Sequence, residues 1–527
     1  MFIQRFGFVG VVCATLLAVL SACARQPVAG SSFDLNDANM AGLQDALKNK
    51  RVTSRELVDG YLKRIEQYDA SLKSIISINP HAREDADRLD REREQGKVRG
   101  PLHGIPLVIK DNIDFKDGDL SAVGSVPNTA GSLALVKNIP ARDAPIVARL
   151  IEAGAIILAK SNLSEWANIR SDWSSSGWSA LGGLVRNPYA NDRTACGSSS
   201  GSGVAIAASL AAGAIGTETD GSVTCPAAIN GIVGLKPTVG LVSRTGIIPI
   251  SHVQDTAGPM ARTVTDVAVL LNALAGSEAA DVATRDADAH RLDYTQGLNA
   301  GALKGVRLGV LRFETGYSPP TDKVFDAALA ALRAQGAVLV DIPEFDTADL
   351  GKLELAALLT EFKVDLNAYL AGTPPAVTTR TLADVIAFNR NEPRELAAFG
   401  QDTFEKAAAT HGLDDPQYIK SREAARRKAG AEGIDRFLGE NNLVALVAPT
   451  TGPAWTIDLV NGDHFGGSAS QLPAVAGYPH LTVPMGQVEG LPVGLSFIGP
   501  AWSEQLLLSL GYAYEQATHA RKPPALK

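Results

Sequence analysis

Only 4 cysteines and 8 histidines occur in 527 residues. That scarcity excludes a small disulfide-stapled module. No C-x-x-C or H-E-x-x-H is present, so metal-dependent hydrolysis lacks its ligands and no cofactor is expected. Basic residues are outnumbered, 49 against 57 acidic, for a formal charge of −8. A chain that binds a phosphate backbone needs the opposite balance, and no nucleic-acid partner is expected. The Walker and dinucleotide fingerprints, G-x-x-x-x-G-K-[ST] and G-x-G-x-x-G, are absent too. What is abundant is apolar side chain, at 45%, together with 50 glycines. This content excludes a disordered chain, and the length allows about two to four domains or one large α/β unit.

The one long apolar run, Phe6 to Leu20, follows the single cation Arg5 and ends in small residues. It is short for a membrane span, which takes about 20 apolar residues, and has the layout of an export signal. Leu20-Ser21-Ala22-Cys23 resembles the lipobox of bacterial lipoproteins; an ordinary secretory signal with a chance cysteine is the alternative. On the lipobox reading, residues 1–22 are removed, Cys23 carries the lipid and residues 23–39 form a polar tether. Ala24 in place of Asp resembles an outer-membrane address, so the expected location is the cell envelope, facing the periplasm and held to the membrane by the lipid. Cys13 is discarded on this reading. Cys196 and Cys225 remain, as a disulfide or as two buried thiols; the sequence does not decide between them.

Beyond the tether, helix and strand signals alternate. Thr53 and Glu56 have capping-box spacing before apolar residues at helical intervals. Ile105 to Ile109 is a short apolar run ending on Lys110, which predicts a buried strand delivering a lysine. Further strands are predicted at 155–158, 214–217, 443–447, 481–484 and 493–498, and helices at 145–153, 204–210 and 504–515. A strand–helix–strand unit is expected over 306–340. The pattern predicts an α/β fold, a central sheet with helices on both faces.

The glycines concentrate in Cys196-Gly197-Ser198-Ser199-Ser200-Gly201-Ser202-Gly203. Such a string is usually a flexible linker, yet an alanine-rich helical stretch and a second glycine turn follow at once, so a compact loop is expected. Gly197 to Gly201 also satisfies G-x-S-x-G, with Ser199 as nucleophile, but that elbow needs a histidine. His252, His464 and His480 all sit in undistinguished contexts and read as loop or core residues. Lys110 by itself reads as a surface lysine at a strand end.

Read together, these stretches resemble the amidase signature of serine hydrolases. The resemblance runs from Ala41 to Gln516 and rests on Gly104 to Asp111, Cys196 to Gly240, and Pro492-Val493-Gly494. The runs Asn162 to Asn168, Thr217 to Ser222 and Ala448 to Gly452 are particularly like bacterial peptide amidases. The resemblance implies one large amidase domain over 40–520 with a mixed sheet, and an expected monomer. It makes Ser222 the nucleophile, Ser198 a bridging serine and Lys110 the base, with the Gly197–Ser198 peptide bond cis. Serine is a weak nucleophile until a neighbour takes its proton, and a lysine does so only when its pKa falls from about 10.4. The turn Thr219-Asp220-Gly221-Ser222 would aim backbone N–H groups at the oxyanion. Asp220 is either a turn residue or a substrate contact. Lys236 reads as structural. Among the tryptophans, Trp166 is the substrate-pocket candidate, while Trp173 and Trp178 are read first as core. The stretch from Asp117 to Thr129 looks longer than the family's usual loop.

The reading is therefore hydrolysis of a small amide, foremost a peptide C-terminal amide. Aryl or fatty amides or esters, and a non-catalytic binding protein on the same fold, are the alternatives. A glutamine-dependent amidotransferase subunit shares the signature, but an exported chain would be parted from its partners.

Overall fold

In the computed structural model the helix Ser54–Leu72 begins where the capping box requires. Thr53 Oγ1 accepts the Glu56 N–H, and Glu56 returns the bond to the Thr53 N–H at 2.8 Å. The structure describes residues 33–116 and 126–526. The export signal, Cys13 and Cys23 fall outside the described residues, as does most of the 117–129 loop. The compact unit that carries the site begins at Leu35.

Eleven strands of the described residues make one sheet. In chain order they are β1 Ile75–Ile78, β2 Pro106–Lys110, β3 Ile156–Ser161, β4 Gly213–Glu218, β5 Val233–Lys236, β6 Thr256–Ala261, β7 Arg307–Leu311, β8 Val338–Ile342, β9 Ala445–Pro449, β10 His480–Val488 and β11 Leu491–Ile498. Their spatial order is β1-β3-β2-β4-β6-β5-β10-β11-β9-β7-β8. The sheet is mixed: β3, β2 and β4 run parallel, β4 through β9 alternate, and β9, β7 and β8 are parallel again. Helix Pro319–Ala334 makes the crossover between the parallel strands β7 and β8, the unit expected at 306–340. Helices flank the sheet, including Ser54–Leu72, Ser200–Ala207, Thr224–Ile229 and Glu504–Thr518. The α/β fold with a mixed central sheet is as predicted.

Two departures bear on the site. The helix expected from Val204 begins at Ser200, inside the serine–glycine string. The helix needs glycine at position 201, because a Cβ there would lie 2.2 Å from the Ser74 carbonyl oxygen. Full burial of the helix offsets the poor intrinsic propensity of glycine. Strand β6, sequence TAGPMA, was invisible to hydrophobic patterning because glycine and proline interrupt it, yet it sits in the middle of the sheet beside β4.

Candidate active site

Strands β2 and β4 lie side by side with Ile109 opposite Ile215, so their ends bring Lys110 beside Thr217. Lys110 is fully buried, not on the surface. Its Nζ donates to Thr217 Oγ1 at 2.8 Å and to the Thr217 carbonyl at 3.1 Å, and lies 2.7 Å from Ser198 Oγ. Asn112 Nδ2 donates to the same Thr217 hydroxyl at 3.0 Å. Burial pulls the Lys110 pKa down to about 7, against the opposing charges of Asp255 and Glu218. Near neutrality the amine is thus divided between its charged and neutral forms, and the neutral form accepts a proton.

Ser198 follows a cis peptide bond at Gly197 and is fully buried. Ser199, the elbow candidate, is excluded by its surroundings. It is inaccessible to solvent, and its hydroxyl donates to the Thr217 carbonyl at 3.1 Å while accepting the Thr217 N–H at 3.2 Å. The Ser199 N–H donates to the Ser222 carbonyl at 3.0 Å, tying the two serine segments together. A disulfide between Cys196 and Cys225 ties them again, with Cα atoms 6.1 Å apart.

Ser222 closes a turn in which Gly221 takes a φ of 72°. Among the described residues the N–H groups of Asp220, Gly221 and Ser222 donate to no acceptor of the protein. The turn is braced from behind. Glu218 Oε2 accepts the N–H groups of Val223 and Thr224 at 2.7 and 2.9 Å, and the Thr224 hydroxyl at 3.2 Å. Asp255 accepts the Thr219 hydroxyl at 2.6 Å and the N–H groups of Ile250 and Ser251. Gln254 Nε2 donates to the Thr219 carbonyl at 3.4 Å and to Glu354 at 2.8 Å. Burial and the charge of Asp220 raise Glu354 to about 8, while burial raises Asp220 itself to about 6. Of these braces, Thr217 and Glu218 lie in the TETDGS run and were within reach of the sequence. Asn112, Asp255, Gln254 and Glu354 were missed, since nothing in their local sequence marks them.

A cavity of about 730 Å³ opens on Ser222 and Gly197 and takes in Thr219, Asp220 and Gly221. Trp166 does not line it, and the pocket role expected for that residue is corrected. At 2% exposure Trp166 is packed edge-on to Phe404, 5.9 Å away, in an apolar cluster with Phe362, of which Ile250 and Leu358, not Trp166, reach the cavity wall. Its 3₁₀ segment folds the ring inward, which local sequence does not reveal. Trp178 packs edge-on to Phe399, with the Arg170 guanidinium over its ring. Trp173, read first as core, is exposed and lines the cavity, as does Trp455. Lys236 is buried at the end of β5, pushed down to about 8 by burial. His480 is a core residue bonded to Ser496 Oγ at 2.6 Å; His252 and His464 pair with Asp365 and Asp458.

The sequence profile of the amidase family matches residues 56–508, and the chain belongs to this family, the amidase-signature hydrolases. It is an amidase, an enzyme that hydrolyses amide bonds. It is similar to the structure of native peptide amidase from Stenotrophomonas maltophilia, with 48% identity, a TM-score of 0.86, and coverage of 93% of this chain and 99% of that one. A structure of the peptide amidase PAM with the competitive inhibitor chymostatin shares 50% identity at a TM-score of 0.87, with the same coverage. A protein of Arabidopsis thaliana described as a probable amidase is 39% identical over 508 residues, 94% of this chain and 92% of its own.

Proposed function

We propose that the chain hydrolyses C-terminal carboxamides of peptides to the acid and ammonia, with Ser222 as nucleophile, Ser198 as proton relay and Lys110 as base. The observation that carries the substrate reading is the charge of the cavity. Three carboxylates, Asp172, Asp220 and Asp463, line it, and among the described residues no lysine, arginine or histidine does. A site for a peptide's free carboxylate needs a cation to meet it. This cavity suits the neutral carboxamide and repels the anionic product. The peptide amidase structures at about half identity support the same class.

In the proposed reaction Ser222 Oγ attacks the carboxamide carbon while its proton passes to Ser198 Oγ and a proton of Ser198 passes to neutral Lys110. The carbonyl oxygen, now anionic, accepts from the free N–H groups of the 220–222 turn; one such donor is worth about 3 kcal/mol. The relay returns the proton to the departing nitrogen, the C–N bond breaks and ammonia leaves an acyl ester on Ser222. Water, deprotonated through the same relay, attacks the ester, and the acid departs with the Ser222 hydroxyl restored.

From the lipobox resemblance of Leu20 to Cys23 we propose further that the mature protein lies in the cell envelope, anchored through a lipid on Cys23. The disulfide supports an oxidising compartment. Comparing kcat/KM on acetylated peptide amides with that on aryl and fatty amides tests the substrate class; faster turnover of the latter would replace it. Failure of labelled palmitate to enter the wild-type protein, with equal membrane partitioning of Cys23→Ala, would remove the anchor.

A further inference from the structure

Large apolar side chains exposed to water are costly unless something covers them. Among the described residues only two aromatic rings are both large and well exposed, Trp173 at 66% and Phe465 at 52%. They sit on segments far apart in sequence, and both line the cavity that opens on Ser222. Phe465 is braced edge-on against Trp455, 5.7 Å away, while Leu459 and Val460 continue the exposed apolar surface of its loop.

These rings are held on a built frame. Asp463 is largely buried and accepts the Trp455 Nε1–H at 3.1 Å, the Ser176 N–H at 3.0 Å and the Ser176 hydroxyl at 2.5 Å. Ser175 Oγ donates to the Asp458 carbonyl at 3.0 Å, a second tie between the same segments. The Trp173 N–H donates to Ser171 Oγ at 3.1 Å. One carboxylate therefore fastens the segment bearing Trp173 to the loop bearing Phe465. At about 730 Å³ the cavity also exceeds the needs of a lone carboxamide and is of the size that takes a ligand of several residues.

We propose that Trp173 and Phe465 form a preorganised apolar shelf that binds an aromatic or branched aliphatic side chain of the substrate upstream of the amidated residue, and so set the enzyme's side-chain preference. This rests on the peptide-amide reading above. Rigid, exposed rings lose little entropy on covering such a side chain, which makes them efficient specificity determinants.

The test measures kcat/KM of wild type, Trp173→Ala and Phe465→Ala on Ac-Phe-Ala-Ala-NH2, Ac-Ala-Phe-Ala-NH2, Ac-Ala-Ala-Ala-NH2 and Ac-Ala-NH2. Wild type should favour one of the phenylalanine peptides over the all-alanine peptide by about tenfold. Each variant should lose most of that preference, through KM, with turnover of Ac-Ala-NH2 kept within about twofold. Equal wild-type rates on phenylalanine and alanine peptides would overturn the shelf while leaving the peptide-amide reading intact. So would variants that retain the preference or slow Ac-Ala-NH2 equally. No turnover of any peptide amide would overturn both.

Discussion

The Nζ of Lys110 lies 2.7 Å from Ser198 Oγ, with both side chains fully buried and 88 residues apart in the chain. Among the described residues no carboxylate lies within hydrogen-bond reach of that amine; its partners are hydroxyls and a carbonyl. Burial brings its pKa to about 7, so a neutral fraction is present near neutrality, as the proposed general base needs.

The pH profile follows from this with a definite sign. The lysine acts when deprotonated, so kcat/KM should rise with pH, reach half its plateau near the Lys110 value of about 7 and stay high above it. Because Glu354 titrates at about 8, the profile is measured in Glu354→Gln as well, and the rise should persist there. A fall through the same range would assign the active form to the ammonium. Lys110→Met should lower kcat by about 10³-fold or more without loss of thermal stability, since it removes a buried amine that folding must desolvate.

The two serine readings separate by mutation. Ser222→Ala should abolish both turnover and fluorophosphonate labelling, and Ser198→Ala should cost kcat about 10³-fold. Ser199→Ala should keep labelling but lose about 1–2 kcal/mol of stability in denaturant melts, because it takes the acceptor from the buried Thr217 N–H, while the Thr217 carbonyl keeps Lys110. Loss of labelling in Ser199→Ala alone would reinstate the nucleophile elbow.

Glu218 holds the turn through three hydrogen bonds without lining the cavity. Glu218→Gln should lower kcat by roughly 10- to 100-fold while KM stays nearly constant, as expected when oxyanion donors shift but ground-state binding survives. Steady-state kinetics on one peptide amide check this; a change confined to KM would contradict it.

Trp166→Ala tests the corrected assignment. Removing this buried ring should cost about 3–5 kcal/mol of stability, read by urea unfolding, with KM of the folded enzyme unchanged. A selective rise in KM would return Trp166 to the pocket.

Reduction should also be felt. The Cys196–Cys225 bridge spans a separation of 29 residues, and its loss through Cys225→Ser should cost about 3–4 kcal/mol by loop-closure entropy. Thiol titration of the denatured, unreduced domain should find neither cysteine free.

Lys110, Ser198 and Ser222 were legible only through the resemblance to the amidase signature, while short-range rules announced elements around them. The apolar run ending at Lys110 gave strand β2, and the capping pair Thr53–Glu56 gave the first long helix of the sheet layer. What sequence hid was set by tertiary contact. Gly201 and Gly203 read as part of a compact loop, and close packing against Ser74 and Pro226 places them instead in a buried helix. Strand β6 gains its place from its neighbours, against its own proline and glycine. Trp166 and Trp173, seven positions apart, exchanged their expected roles because one follows a turn inward and the other rides an outer loop. Asp255 holds Thr219 directly and Glu354 does so through Gln254, each from an element distant in sequence, so no local motif could announce them.

The central claim is tested most directly by mass spectrometry of an acetylated peptide amide incubated with the mature domain. A gain of one mass unit at the C-terminus and equimolar ammonia are expected, with internal peptide bonds intact, and neither the gain nor the ammonia with Ser222→Ala. No mass gain across peptide amides of varied sequence, or gain undiminished in Ser222→Ala, would contradict it.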